Sequence, residues 1–148
     1  MVQVMVEKAT LDDLSKFAEM EQEAGVSQFI SPYSLEEHQN EFAEPHVIYL
    51  RIMNHDVIAG FFILALEADG CSIEFRRIVV SDKGKGIGQA AISQMEVFCR
   101  DELCRSRIWL DVFESNQRGR HVYEKLRYKQ FGESEFMGKP CLLCEKRL

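Results

Sequence analysis

The alternation of apolar and polar residues along the chain predicts seven strands and four helices. Runs rich in β-branched and aromatic residues, bounded by turn residues, predict the strands. These runs cover residues 2–6, 46–53, 56–66, 71–80, 107–113, 128–131 and 141–146. Apolar residues at helical spacing predict the helices, which cover residues 10–24, 34–42, 87–103 and 116–126. The predicted order is therefore β α α β β β α β α β β.

This order predicts an α+β fold in one domain that spans residues 1–148. Three consecutive strands joined by short turns form an antiparallel meander. The strand at 71–80, the helix at 87–103 and the strand at 107–113 form a right-handed parallel βαβ unit. We therefore expect a mixed, mostly antiparallel seven-stranded sheet with a central parallel strand pair and helices on both faces.

The composition excludes several classes of protein. Hydrophobic residues make up 46% of the chain and charged residues 28%, which is typical of a folded domain and excludes disorder or a coiled coil. The longest apolar run, Phe61–Leu66, is too short to cross a bilayer. The N-terminus lacks the basic and apolar regions of a secretory signal. We therefore expect a cytoplasmic protein with no membrane partner.

Charge is distributed unevenly. Residues 1–44 carry a net charge of −8, whereas the rest of the chain carries +2. An acidic chain does not favour nucleic acid as a partner. The asymmetry has two interpretations: the N-terminal helices meet a cationic partner, or they present solvated acidic faces far from any site.

The five cysteines do not predict a metal site. Without a secretory signal we expect reduced thiols. Cys141 and Cys144 lie in a predicted strand, where residues three apart point to opposite faces, so they cannot share a zinc ion. We expect buried, unreactive cysteines.

The turn between the strand at 71–80 and the helix at 87–103 is the most informative segment. Three of the nine glycines of the chain lie within residues 84–88. Glycine lets the backbone approach an anion closely, and a helix N-terminus directs N–H groups at it. Lys83 and Lys85 add positive charge. The segment predicts a phosphate-binding site rather than a plain turn.

Two common phosphate motifs fit this turn poorly. A Walker A loop requires Lys-Ser or Lys-Thr after its last glycine, whereas Gly88 is followed by Gln89. The dinucleotide fingerprint matches formally at Gly86, Gly88 and Ala91, but the acid expected at the end of the next strand is missing.

The turn resembles the central signature of the GCN5-related N-acetyltransferase (GNAT) family, Gln/Arg-x-x-Gly-x-Gly/Ala. Here it reads Lys-Gly-Lys-Gly-Ile-Gly over residues 83–88, with Lys83 in place of Gln or Arg. A second stretch is similar to the family's next βα unit. It has a strand, then Asn116, a helix with Tyr123, and the aromatic Tyr128, with Arg127 where the family usually has Gly.

The resemblance implies a GNAT-like fold and acetyl-CoA as cosubstrate. It implies that the pantetheine pairs like an extra strand with Ile78, Val79 and Val80, where the two parallel strands separate. It also implies that the pyrophosphate lies on the amides of the glycine-rich turn. The cofactor-binding residues that it implies there and beyond are Lys83, Gly84, Lys85, Gly86, Ile87, Gly88, Gln89, Asn116 and Tyr123.

The resemblance also implies two catalytic residues. Tyr123 would protonate the departing thiolate, and Glu74 would remove the proton of the acceptor amine. Each has a structural alternative. Tyr123 would pack against the sheet, Glu74 would pair with Arg76 or Arg77, and Asn116 would only cap a helix. In the predicted strand Glu74 shares a face with Ser72, Arg76 and Ile78.

The implied activity is direct acetyl transfer to an amine in a ternary complex. We hypothesise a cationic acceptor, such as a polyamine, a small basic amine or a basic peptide end, because Glu36, Glu37, Glu41 and Glu44 crowd the second helix. The alternatives are a non-catalytic acyl-CoA-binding module of the same fold and a nucleotide-binding oxidoreductase. The sequence leaves open whether the protein is a homodimer.

Overall fold

The computed structural model describes residues 3–23, 31–81 and 86–148, and their elements follow the predicted order. The strands are β1 (Val4–Lys8), β2 (Val47–Asn54), β3 (Val57–Leu66), β4 (Ser72–Val80), β5 (Arg107–Phe113), β6 (Lys129–Phe136) and β7 (Lys139–Arg147). The helices are α1 (Leu14–Glu21), α2 (Leu35–Phe42), α3 (Ile87–Asp101) and α4 (Gln117–Lys125). The predicted end of the first helix, Ala24, lies outside the described residues.

The strands form one seven-stranded sheet in the order β1-β2-β3-β4-β5-β7-β6. Neighbouring strands are antiparallel except β4 and β5, which are parallel. The predicted mixed sheet with a central parallel pair is therefore confirmed. The parallel pairing is short, because only Ser72–Glu74 pair with residues 107–109.

A β-bulge at Arg76 changes which side of the sheet the second half of β4 presents. Ile63 pairs with Arg77 and Leu64 pairs with Phe75, so Arg76 is the extra residue. Phe75 and Ile78 both pack on the α3 side, although a regular strand would place them on opposite faces. The expectation that Glu74 shares a face with Ile78 is therefore wrong, because the bulge lies between them.

The sheet separates two apolar cores. Residues of α3 pack against one face together with the partly buried apolar residues of α4. Residues of α1 pack against the other face, over β2, β3 and the end of β4. Helix α2 lies beside α1 on this second face, where its Phe42 packs against the core. The helices therefore cover both faces, as predicted.

Gly60 is required by a close approach of two strands. A Cβ atom at this position would lie 2.1 Å from the carbonyl oxygen of Val79. The β2–β3 register shifts next to Gly60, where Ala59 is the extra residue. In the turn between β2 and β3, His55 has a positive φ of 58°.

Two local predictions need correction. The strands of the closing hairpin, β6 and β7, are longer than predicted, because β6 is a largely exposed edge strand with few apolar residues to mark it. Cys71 and Cys104 are exposed, whereas Cys99, Cys141 and Cys144 are buried as expected.

Within the described ranges, every helix is too short or too polar to cross a bilayer.

Candidate functional site

An opening between β4 and β5 lies at the centre of the sheet. Beyond the Glu74–Trp109 pair the two strands make no further ladder contacts, although β4 continues to Val80 and β5 to Phe113. The bulge at Arg76 occurs where this pairing ends. Backbone groups of Ile78–Val80 that point away from β3 therefore face the opening without a strand partner, as an added extended ligand requires.

The N-terminus of α3 lies beside the end of β4. Gly86 caps the helix with φ at 76°, a left-handed conformation that favours glycine, and it provides no side-chain cap. The first turn contains no acidic residue, and no side chain of a described residue caps the N–H groups of residues 87–89. The α-carbon of Gly88 faces Val80, whose methyl group would lie 3.9 Å from an added Cβ atom. The predicted residues Lys83, Gly84 and Lys85 lie outside the described residues.

Asn116 caps the N-terminus of α4. Its Oδ1 accepts a hydrogen bond from the backbone N–H of Gly119 at 2.9 Å. A Cβ atom on Gly119 would lie 2.7 Å from the Asn116 side-chain nitrogen, so glycine is required for this cap. The capping interpretation is therefore observed, and a contact of Asn116 with a ligand stays a prediction.

Tyr123 lies on the α3 and α4 side of the opening. Its ring packs edge-to-face against Phe75 of β4, with ring centroids 5.8 Å apart. Its hydroxyl makes no hydrogen bond to another described residue, whereas the neighbouring Tyr128 donates to Glu96 at 2.9 Å. Burial raises the pKa of Tyr123, so the phenol stays protonated at neutral pH and can serve as a proton donor.

Glu74 lies on the opposite side of the sheet and is ion-paired. Its Oε1 accepts hydrogen bonds from Nη2 and Nε of Arg76 at 3.0 and 3.3 Å. The same guanidinium donates to Glu41 of α2 at 3.2 Å. The second oxygen of Glu74 makes no hydrogen bond to a described residue. The predicted acid and the predicted base therefore lie on different faces of the sheet.

An acidic cleft of about 270 Å³ borders α2. Its lining residues are Tyr33, Glu37, Asn40, Glu41 and Glu44. Three of the four acids predicted on this helix therefore share one cleft, and Glu36 is not among its lining residues. Glu41 of this cleft and Glu74 accept hydrogen bonds from the same guanidinium, so Arg76 links the cleft to Glu74.

A buried ionic cluster on the same face was missed by the sequence analysis. Glu21 and His38 have no solvent exposure. Glu21 accepts a hydrogen bond from Arg77 at 2.5 Å and contacts the Nε2 atom of His38. The Nδ1 atom of His38 lies 2.7 Å from the Tyr49 hydroxyl. The Arg77 guanidinium also lies over the ring of Tyr33, 4.1 Å from its centroid.

A sequence signal for this cluster did exist. Glu21 follows Leu14 and Phe17 on the apolar stripe of α1, and His38 lies between Leu35 and Phe42 at helical spacing. A polar residue on an apolar stripe is buried with a partner, because an unpaired buried charge is costly. What the sequence could not identify was the partner, since Arg77 comes from a strand 56 residues away from Glu21.

Several solved structures that share this fold are acetyltransferases. Spermidine N-acetyltransferase from Vibrio cholerae, in complex with CoA and spermine, superposes with a TM-score of 0.86 at 17% identity, over 98% of this chain and 95% of that one. The aminoglycoside acetyltransferase AAC(6')-Ib with coenzyme A gives 0.83 at 17% identity, over 98% and 95%. A GNAT acetyltransferase from Streptococcus pneumoniae gives 0.77 at 16% identity, over 99% of both chains.

The family itself is shown by the sequence. Residues 13–128 match the model of the acetyltransferase (GNAT) family, so the chain belongs to that family. Acetyl-CoA is the family's cosubstrate, and several of the similar structures hold coenzyme A. A search of curated protein sequences returned no match.

Proposed function

We propose that this protein, acting as one domain of residues 1–148, transfers an acetyl group from acetyl-CoA to a primary amine. The observation that carries the proposal is the opening between β4 and β5. It places an unpaired strand edge beside a glycine-capped helix N-terminus, with Glu74 on one side of the sheet and Tyr123 on the other. Transfer between two substrates requires access from two sides, which this arrangement provides.

The backbone supplies the proposed binding site for the cosubstrate. The free edge of Ile78–Val80 is extended and can pair with the amide groups of a pantetheine arm. The N–H groups of Gly86–Gln89 suit a pyrophosphate, because the helix dipole favours negative charge there. Contacts of Lys83, Gly84 and Lys85 with the same group are predicted from the family resemblance alone. A strand N–H near Val79 or Val80 would stabilise the oxyanion formed at the thioester. Asn116 would contact the ligand from the start of α4.

The proposed reaction is a direct attack in a ternary complex. The amine nitrogen attacks the thioester carbonyl carbon, so the C–N bond forms as the C–S bond breaks. The proton of the amine passes to Glu74, directly or through water, using the carboxylate oxygen that Arg76 does not occupy. Tyr123 donates its proton to the departing thiolate, whose own basicity rises in the same buried surroundings.

The acceptor proposed here is a cationic amine. Arg76 links the cleft with Glu37, Glu41 and Glu44 to Glu74, so the carboxylates of the cleft would concentrate ammonium groups near the reacting centre. Two of the similar structures hold such compounds, one with spermine and one with kanamycin. An anionic acceptor would be repelled by the same carboxylates.

A thiol-release assay with acetyl-CoA and a panel of amines tests the proposal. Release of CoA that depends on the amine, with an acetylated product in the mass spectrum, supports it. Calorimetry with CoA and with NAD separates the alternatives. Binding of CoA without turnover of any amine would identify a non-catalytic acyl-CoA-binding module, and binding of NAD in place of CoA would identify an oxidoreductase.

A further inference from the structure

Two consecutive arginines of β4 reach the same side of the sheet. Arg76 is the extra residue of the bulge, and Arg77 follows it. Arg76 donates to Glu41 of α2 at 3.2 Å, and Arg77 donates to Glu21 of α1 at 2.5 Å. In a regular strand two consecutive side chains would point to opposite faces. The bulge therefore allows each arginine to tie β4 to a different helix.

The two ion pairs differ in their access to water. The side chains of Arg76 and Glu41 are 28% and 26% exposed, whereas those of Arg77 and Glu21 are 11% and 0% exposed. A buried pair loses about as much hydration as its attraction returns, so apolar residues of similar volume would stabilise the fold about as well. What the buried pair adds is one fixed geometry, because a guanidinium and a carboxylate must meet at hydrogen-bond distance.

The rest of the buried cluster holds Glu21 and Arg77 in place. The second carboxylate oxygen of Glu21 contacts Nε2 of His38, whose Nδ1 atom lies 2.7 Å from the Tyr49 hydroxyl. The ring of Tyr33 covers the guanidinium of Arg77, with 4.1 Å between the ring centroid and the guanidinium carbon. The cluster joins β4 to α1, α2 and β2, so Arg77 cannot shift without breaking contacts to other elements.

Arg77 lies at the start of the free edge of β4. It pairs with Ile63 of β3, and residues 78–80 continue this pairing on one side only, since the ladder to β5 ends at Glu74. A strand that is hydrogen-bonded on one side opens locally more easily than one that is bonded on both. A buried anchor at Arg77 therefore fixes the position of this segment where it begins.

We infer that Arg77, held by Glu21, is a positioning residue for the cosubstrate. The pair keeps the free edge of Ile78–Val80 where it can bond to the pantetheine arm. The inference rests on the proposed acetyl transfer and gives a role to two residues outside the proposed site. A displacement of about 1 Å would misalign the strand N–H that stabilises the oxyanion, and such an error can lower a rate by about 10²-fold.

The first experiment replaces the whole cluster by apolar residues, so that no buried polar group loses its partner. The variant combines Glu21→Met, His38→Leu, Tyr49→Phe and Arg77→Met. We expect its midpoint of chemical denaturation to equal or exceed that of the natural protein. Its Kd for CoA, measured by calorimetry, should nevertheless rise by roughly 10-fold or more. A stable variant with unchanged affinity for CoA would overturn the inference.

The second experiment compares single substitutions on α1 and does not depend on how well the apolar variant packs. Glu21→Gln removes the partner of Arg77, whereas Leu14→Ala opens a cavity in the same apolar core without touching the ionic cluster. Both destabilise the fold by comparable amounts. We expect Glu21→Gln to raise the Kd for CoA by about 5- to 10-fold and Leu14→Ala to leave it unchanged, with circular dichroism verifying that both are folded. Equal affinities in the two variants would refute the positioning role.

Hydrogen exchange measures the free edge without any ligand. In Glu21→Gln the amides of residues 78–80 should exchange faster by a larger factor than those of residues 72–74, which β5 also supports. In Leu14→Ala the two segments should change by the same factor. A uniform change along β4 in Glu21→Gln would show that Glu21 only stabilises the fold.

These measurements separate failure of the inference from failure of the proposed function, because neither CoA binding nor hydrogen exchange needs turnover. If amines are acetylated and all variants bind CoA equally well, acetyl transfer stands and the positioning role is wrong. If CoA binding responds as expected and no amine is acetylated, Arg77 positions bound CoA and the proposed acetyl transfer is wrong. If the natural protein does not bind CoA, both are wrong.

Discussion

The two sides of the β4–β5 opening are made of different chemical groups. On the α3 and α4 side, the groups of the proposed site are the backbone amides at the start of α3, Gly86, Gly88 and the phenol of Tyr123. On the α1 and α2 side they are charged side chains, with Glu74, Arg76 and Glu41 linked in one chain of ion pairs. In the proposed site, the first side suits acetyl-CoA, which the whole family uses. The second side suits an acceptor amine that is particular to this protein.

The N-termini of α2 and α3 show the same difference. Helix α2 satisfies its own N–H groups, because Ser34 and Glu37 form a reciprocal capping box and its first turn carries Glu36 and Glu37. Helix α3 begins at a glycine with no side-chain cap and no acid in its first turn. A helix that leaves its first amides open keeps a site for an anion, whereas a capped and acidic one repels it.

The largest expected effect comes from replacing the phenol of Tyr123, which lies on the α3 and α4 side of the opening. Tyr123→Phe keeps the ring that packs on Phe75 but removes the proton donor. We expect kcat to fall by roughly 10²–10⁴-fold with little change in CoA affinity. Because burial raises the pKa of Tyr123, kcat of the natural protein should not fall on the alkaline side below about pH 10.

Tyr128→Phe is the matched control for this substitution. It also removes a phenolic hydroxyl, but that hydroxyl donates a hydrogen bond to Glu96 and has no role in the proposed mechanism. Its kcat should stay within a factor of about three of the natural value. A similar loss in both variants would show that Tyr123 acts through packing alone.

The buried cluster of Glu21, His38 and Arg77 should stabilise the fold on the α1 and α2 side of the sheet. A measurement of the free energy of unfolding tests this. Glu21→Gln removes the charge that compensates Arg77 in the core. We expect the free energy of unfolding to fall by about 3–5 kcal/mol. Arg100→Met breaks an exposed ion pair with Asp101 and should leave the free energy of unfolding almost unchanged. Chemical denaturation of both variants checks the contrast, and an equal effect would contradict it.

A negative charge placed at the start of α3 tests whether CoA binds to the backbone N–H groups there. Gly86→Asp places a carboxylate beside the open amides, whereas Gly86→Asn imposes the same left-handed conformation without charge. We expect the aspartate to weaken CoA binding by roughly 10²–10³-fold and the asparagine to weaken it only a few-fold. Calorimetry that gives equal affinities for the two variants would place the pyrophosphate elsewhere.

The two carboxylates that share Arg76 have different roles in the proposed mechanism. Glu74→Gln keeps a hydrogen bond to Arg76 but removes the base, so we expect kcat/KM to fall by about 10²-fold and its dependence on pH to change. Glu41→Gln removes the other partner of the same guanidinium and should leave the shape of the pH profile unchanged. If the two profiles match, Glu74 is not the base.

Ionic strength tests the smallest expected effect, the attraction of a cationic acceptor. Raising the salt from about 0.01 M to about 1 M shortens the Debye length from roughly 30 Å to 3 Å. We expect kcat/KM for a cationic amine to fall several-fold over this range. The double variant Glu37→Gln with Glu44→Gln should flatten the response. A response that is flat in the natural protein, or a best substrate that is anionic, would refute the attraction.

The sequence by itself determined the order of the elements, the central parallel pair and the glycine-rich start of α3. The parallel pair follows from the βαβ order, because a helical crossover joins strands that lie parallel in one sheet. The order of the elements and the glycine-rich turn follow from short-range rules, because side-chain period and backbone conformation depend on neighbouring residues. Gly86 illustrates this, since glycine by itself readily adopts the left-handed conformation that Gly86 has at the start of α3. The polar edge strand β6 was predicted too short for the same reason, since it buries too little apolar surface to show a period.

Only the tertiary structure decided how the two sides of the site are arranged. The bulge at Arg76 places Ile78 on the face opposite to Glu74, and no local pattern marks it. The pairing of Glu21 with Arg77 and that of Glu41 with Arg76 join residues that are far apart in the chain. Such contacts depend on strand register and on which elements become neighbours. Those are set by the packing of the whole sheet rather than by any one segment.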